Sequence, residues 1–150
     1  MVAAIAYAIA NTSPYDPQGV LPSGGPEPVE VTIDISDLMQ GFYGVDDHFE
    51  LKFVGKQKEF VLPDDRTVIL SPGLKVTLTN TDSNESVTVS AAGTFHEEKL
   101  ADGTIVTVAT GTNVLFDPVE GLVVTTGRFT FSEDDPLEGN GRMVDFIDLL

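Results

Sequence analysis

From Val29 onward the apolar side chains return at every second residue. Val29, Val31, Ile33 and Ile35 alternate with Glu30, Thr32 and Asp34, and Phe49, Leu51 and Phe53 alternate with Glu50, Lys52 and Val54. Leu74, Val76 and Leu78, then Val87, Val89 and Ala91, keep the same beat. Successive strand residues point to opposite faces, so this rhythm predicts strands with one buried side and one wet side. No helical period of comparable length competes with it.

The strands are punctuated by turn residues. Gly55, Pro63-Asp64-Asp65-Arg66, Pro72-Gly73, Asn80 to Asn84, Ala101-Asp102-Gly103, Asp117-Pro118 and Glu120-Gly121 each separate two apolar runs. Glu59–Leu62, Thr67–Ser71, His96–Leu100, Ile105–Thr110, Asn113–Phe116, Leu122–Thr126 and Arg128–Ser132 fill the intervals as further strands. Two local exceptions are expected. Ser36 caps a single turn over Asp37–Gln40, stopped by Gly41. After the acidic loop Glu133–Gly141, the short apolar tail Met143–Leu150 places Val144, Ile147 and Leu150 on one helical face. About eight to ten short strands at this spacing predict an all-β fold, a single antiparallel β-barrel or sandwich over residues 29–150. The barrel is favoured, because closure removes sheet edges and Gly55, Gly111 and Gly127 offer bends.

Residues 1–28 read differently, as an extended N-terminal arm. Asn11–Pro28 holds five of the nine prolines, and proline both removes a backbone donor and disfavours helix before it. Yet the arm carries Ile5, Tyr7, Ile9, Tyr15, Val20 and Leu21. These apolar residues need burial, so they are the candidate partner-binding residues. The opening MVAAIAYAIA lacks the basic flank of a secretory signal and is too short to span a membrane, so it reads as part of the mature chain.

The acidic balance limits the partners. Asp and Glu number 24 against 8 Lys and Arg, for a net charge of −16. Nucleic-acid phosphates and anionic lipid are repelled by such a surface. The charge serves solubility first. An acidic face for a basic partner, or for Ca²⁺, is the sharper alternative.

Little catalytic grammar is present. The chain has no Cys, so thiolate nucleophiles, disulfides and cysteine-ligated zinc are excluded. No Gly-x-Ser-x-Gly elbow, P-loop or dinucleotide fingerprint occurs. Asp46-Asp47-His48 reads as a loop before a strand rather than a metal cluster. His96 and Glu98 share one strand face, opposite Glu97, and read as a surface pair rather than a base with its orienting carboxylate. Asp82-Ser83-Asn84-Glu85 and Glu133-Asp134-Asp135 are oxygen-rich without EF-hand spacing. Phe49, Phe53, Phe60, Phe129 and Phe131 read as core. No catalytic residue, cofactor or metal ligand is assigned, and the chain leans away from being an enzyme.

LPDDRTVIL at 62–70 echoes LADGTIVTV at 100–108, and shared turn geometry explains it better than duplication. The stretches FVGKQKEFVLPDDRTVILSPGLKVTLTN (53–80) and GTFHEEKLADGTIVTVATGTNVLFDP (93–118) carry a Gly-Lys ahead of a Leu-Pro hairpin, a Ser-Pro-Gly-Leu-Lys turn and a Thr-Gly-x-Asn-x-x-x-Asp-Pro run from Thr110 to Pro118. In these the chain resembles small exported actinobacterial β-proteins of unassigned activity, over roughly residues 49–146. The resemblance implies a β-domain and carries no active-site residue. The lack of a convincing signal and the lack of cysteines set this chain apart from that group, and a virion relative in an actinobacteriophage is the alternative expectation. Three functions follow as expectations. The first is a non-enzymatic structural or interaction protein that docks through its arm on a protein partner or on itself, such as a head-decoration or minor tail protein. The second is a small-molecule-binding or cyclase-type barrel with an apolar lumen, and the third is an exported surface protein. Virion or extracellular placement is favoured over cytoplasmic.

Overall fold

The computed structural model describes Ala3–Ala4 and residues 26–64, 66–133 and 135–150. Among the described residues the strands are β1 (Ala3–Ala4), β2 (Glu27–Asp34), β3 (Phe49–Val61), β4 (Arg66–Leu70), β5 (Lys75–Asn80), β6 (Glu85–Ser90), β7 (Thr94–Lys99), β8 (Ile105–Asp117), β9 (Gly121–Ser132) and β10 (Glu138–Asp145). One helix, α1 (Ser36–Tyr43), joins β2 to β3, and a 3₁₀ turn at Phe146–Leu149 follows β10. The all-β expectation holds, and the strand pairs are antiparallel.

The strands run in the order β10-β9-β8-β7-β4-β3-β5-β6, with β2 on β3 and β1 on β8. The two ends of this path, β10 and β6, do not meet. The sheet is open, and the barrel expectation is corrected. Alternation tells which face of a strand is buried; it says nothing about whether the outermost strands find each other. After β6 the chain leaves the edge. Ala91 N–H donates to Leu74 O at 2.8 Å and Gly93 N–H to Thr112 O at 2.9 Å, which carries the chain across to β8.

Long strands turn the corners. β3 pairs with β5 through residues 49–54 and with β4 through 58–61. Gly55, expected to break the strand, lies inside it. A Cβ there would come within 2.5 Å of the Leu74 Cα, so only glycine permits the approach. β8 and β9 likewise continue through Gly111 and Gly127. Their pairing stacks Gly111, Gly127 and Gly141 in one row across three strands, with φ of +76°, +129° and +149°. The row is the line along which the ribbon bends.

Cross-strand register builds the core. Val31, Phe53, Val76 and Val89 stand in one row, with Ile33, Leu51, Leu78 and Val87 in the next. The opposite face carries Thr32, Lys52, Thr77 and Thr88. Across β4, β7, β8 and β9 the row Ile69, Phe95, Ala109 and Phe129 is buried throughout. Both sets feed a single hydrophobic cluster. Each large apolar side chain so buried contributes about 1.5–3 kcal/mol.

Two local expectations are revised. The helix does not stop at Gly41 but runs to Tyr43, where Gly44 closes it in the left-handed region (φ +68°) with its N–H on Gln40 O. Ser36 does not cap it; its Oγ accepts from Phe49 N–H at 3.0 Å, while Asp34 Oδ1 accepts from Ser36 N–H at 2.8 Å. In the tail, Met143, Val144 and Asp145 are strand, paired with Thr125, Val124 and Val123. Pairing with β9 outweighs the helical spacing, because an unpaired β9 edge would leave its backbone groups without partners.

Candidate functional site

β8 has two unequal halves, and the second is where another strand can add. Residues 105–110 lie between β7 and β9, with Thr94 opposite Thr110 as the last β7 pair. Beyond Gly111 the strand keeps β9 on one side; on the other, Gly93 N–H still reaches Thr112 O, and further along Ala4 pairs with Leu115 and Ala3 with Phe116. The edge opens because β7 begins only at Thr94, opposite Thr110, and Asp117-Pro118 ends β8. Ile5, Tyr7, Ile9, Tyr15, Val20 and Leu21, the candidate partner-binding residues, lie outside the described residues.

The ground beneath this edge is firm. Asn113, Val114, Leu115 and Asp117 are buried. Asn113 Nδ2 donates to Thr110 O at 3.0 Å under Gly93, whose added Cβ would collide with the Asn113 side chain. Asn113 Oδ1 and the hydroxyl of its cross-strand partner Thr125 have no hydrogen-bond partner among the described residues. From α1, the Phe42 ring meets Phe116 edge-on at 5.9 Å between centroids. The Tyr43 hydroxyl donates to Asp145 Oδ1 at 2.7 Å and accepts from Leu122 N–H at 3.0 Å. Burial, and then the Asp145 carboxylate, push the Tyr43 phenol far above its usual range, so it stays protonated and keeps donating.

A second surface lies on the outer side of β4, β7 and β8. His96 stands between Val68 and Val108, and Glu98 between Arg66 and Val106. His96 and Glu98 do share a face, as expected, and they line a shallow cleft of about 290 Å³ with Arg66, Val68, Val108 and Arg128. Arg66 Nε sits 2.8 Å from Asp64 Oδ2. That carboxylate raises the guanidinium pKa, and the arginine in turn lowers Asp64. The positive groups of the cleft are therefore balanced by Asp64 and Glu98, and no single charge dominates it.

The two hairpins beside the cleft explain the sequence echo. Leu62 N–H donates to Arg66 O and Leu100 N–H to Thr104 O, each at 2.7 Å. In both, the Asp two residues after the leucine bonds to the residue two further on, Asp64 to the Arg66 side chain and Asp102 Oδ1 to Thr104 N–H. The echo is turn chemistry. Val61, Leu100 and Ile105 stand exposed at this end. Inside it, burial and then Glu97 raise the Glu59 carboxyl above its ordinary range.

The oxygen-rich loops are structural clamps. His48 Nδ1 lies 3.1 Å from Asp82 Oδ2, which also accepts from His48 N–H at 2.8 Å. Asn80 Nδ2 donates to Asp47 Oδ2 and Gln40 Nε2 to Asp46 Oδ1. Sequence reading kept Asp46-Asp47-His48 apart from Asp82-Ser83-Asn84-Glu85; the β3–β5 pairing brings the two loops together. Among the described residues no group of three or more metal-binding side chains converges. Asp134 lies outside the described residues; Asp135 Oδ2 accepts from the Ser132 hydroxyl at 3.0 Å. No helix among the described residues is long and apolar enough to cross a membrane.

Tyr43, Asn113 and Thr125 escaped sequence reading. The Asn of Thr-Gly-x-Asn was a signal of sorts, a polar residue inside an apolar strand. Nothing in the sequence marked the tyrosine, whose partners Leu122 and Asp145 are distant along the chain. No protein-family model, curated protein or solved structure matches this chain.

Proposed function

We propose that this chain is a non-enzymatic structural or interaction protein that docks through its N-terminal arm, residues 1–28. One observation carries the reading: Ala3–Ala4 add as an antiparallel strand to Leu115–Phe116 on the edge β7 leaves free. Adding a strand to a free edge is a general way for an extended segment to bind, since main-chain hydrogen bonds supply affinity whatever the sequence. The barrel-lumen reading has lost its premise with the open sheet.

Truncation immediately before Pro26 tests the proposal. The truncated chain keeps its circular dichroism spectrum and sediments as a monomer, while the full chain assembles or captures its partner. Equal assembly by both chains overturns the reading. Virion placement, as a head or tail accessory, draws on the resemblance over 53–80 and 93–118. Its support is detection of the chain in purified phage particles, and detection only in host culture supernatant favours the exported alternative.

A further inference from the structure

We infer that the outer cleft over β4, β7 and β8 binds a small organic acid, with Arg128 holding its carboxylate and Val68, Val106 and Val108 receiving its apolar body. The site is separate from the arm and goes beyond the docking reading above.

Three observations support this site. The first is its floor. On β2, β3, β5 and β6 the outward row Thr32, Lys52, Thr77 and Thr88 is polar, as a wet face should be. The outward positions of β4, β7 and β8 instead set Val68, Val106 and Val108, each half-buried, around the cleft. Apolar area left at a concave surface is area that a ligand can remove from water. The second is the charge. Two of the chain's three arginines, Arg66 and Arg128, line this cleft, although acidic residues number 24 against 8 basic ones. The two are not equivalent. Arg66 has Asp64 at 2.8 Å and lies directly across the strand pair from Glu98. Arg128 makes no ion pair among the described residues, not even with Glu138, its diagonal neighbour on β10. Charge therefore balances over the cleft as a whole, while the guanidinium on the β9 side has no carboxylate of its own. A planar guanidinium matches a carboxylate with two parallel hydrogen bonds. His96, between Val68 and Val108, places a ring nitrogen beside the valines as a second polar contact. The net charge of −16 opposes an anion at long range, but salt screens that field beyond about 8 Å, so the local pairing at Arg128 decides. The third is size. A volume of about 290 Å³ stands at the lower end of the range for ligand sites, which suits one ring or a short chain rather than a lipid tail.

Phenylbutyrate and its uncharged amide, phenylbutyramide, test the site on the full chain, read by NMR of the valine methyl groups. Phenylbutyrate should shift the methyls of Val68, Val106 and Val108 and saturate at about millimolar concentration, as suits roughly twelve non-hydrogen atoms at ordinary ligand efficiency. The amide keeps the shape and loses the charge, so it should bind about tenfold more weakly. Arg128→Gln should weaken phenylbutyrate by the same factor and leave the amide as it was. Arg66→Gln removes a guanidinium already held by Asp64 and should change the acid's affinity by less than about twofold. The comparison of acid with amide uses the unsubstituted chain, so it decides the matter even if a variant misfolds. Valine methyls that do not move with phenylbutyrate overturn the site. Equal binding of acid and amide overturns its preference for an anion. An affinity that follows Arg66 rather than Arg128 overturns the assignment of the carboxylate's partner.

Discussion

The β8–β9 ribbon is two different structures on either side of its glycine row. On the side next to β7, Ala109 and Phe129 are buried while their neighbours Val108 and Thr130 are only half-buried and face outward. On the far side, neighbours that point in opposite directions are buried together: Val114 with Leu115, and Val123 with Val124. Phe42 and Tyr43 of α1 cover the face that Phe116 and Leu122 share. One ribbon therefore serves as a half-wet sheet at one end and as a doubly covered wall at the other. The doubly covered end is also the end with the free edge, so the place most open to strand addition is the place least able to deform.

Side-chain truncation should expose this asymmetry most strongly. Leu115→Ala is expected to cost about 3 kcal/mol and Val114→Ala about 2 kcal/mol, although the two side chains point opposite ways. Val108→Ala, on the outward face of the side next to β7, should cost under about 1 kcal/mol. Urea unfolding midpoints at constant slope give the comparison. If Val114→Ala proves as mild as Val108→Ala, the far side has a wet face and the contrast collapses.

The bend itself comes next. Gly127 holds φ +129°, and an added Cβ would overlap the Asn140 carbonyl. Gly127→Ala should cost about 2–3 kcal/mol from backbone strain and crowding combined. Gly41, mid-helix with open space around its Cβ position, is the opposite case, and Gly41→Ala should stabilise by up to about 1 kcal/mol. A neutral Gly127→Ala would mean the glycine row is not what divides the ribbon.

The same division explains what the sequence made legible. Where one face is wet, as in Val29–Ile35 or Phe49–Phe53, alternation names the strand and its buried side. Where both faces are covered, as in Asn113–Phe116, the apolar run names a strand but not its cover. Gly55, Gly111 and Gly127 were visible as bends; that the strands continue through them was not, because a glycine that breaks a strand and one that bends it look alike in one dimension. Closure was out of reach for the same reason. The β8 edge follows from β7 beginning only at Thr94, opposite Thr110, which is a fact of pairing rather than of pattern. Tyr43 acts on Leu122 and Asp145, and such distant partners leave no local trace.

Tyr43 tests how the far side is held against α1. Tyr43→Phe keeps the ring on its neighbour Phe42 (centroids 4.7 Å apart) but removes the donor to Asp145 and the acceptor for Leu122 N–H. The expected cost is about 1–2 kcal/mol, from lost hydrogen bonds at a half-buried site. A near-zero cost would place the strength of the cover in apolar contact alone.

The smallest effect belongs to the exposed clamp between His48 and Asp82, and it supplies the control. Hydrogen bonding to Asp82, then its charge, raises the His48 pKa above its ordinary 6.5. The His48 backbone N–H, then the ring, lowers that of Asp82 below 3.8. A raised histidine contributes stability that is full below its unfolded pKa and lost as pH rises through its folded value; a lowered carboxylate contributes above its unfolded pKa and loses it as pH falls through its folded value. The pair is therefore whole in mildly acidic solution and fades toward alkaline pH. Asp82→Asn keeps an acceptor for the His48 N–H while removing the charge. Its NMR titration should show the His48 midpoint moving down, and its stability deficit should shrink as pH rises past neutral. Both clamp side chains are more than half exposed, so Leu115→Ala should leave the His48 midpoint where it was. A His48 midpoint that shifts with Leu115→Ala would mean that the wall and the clamp are coupled and do not act independently.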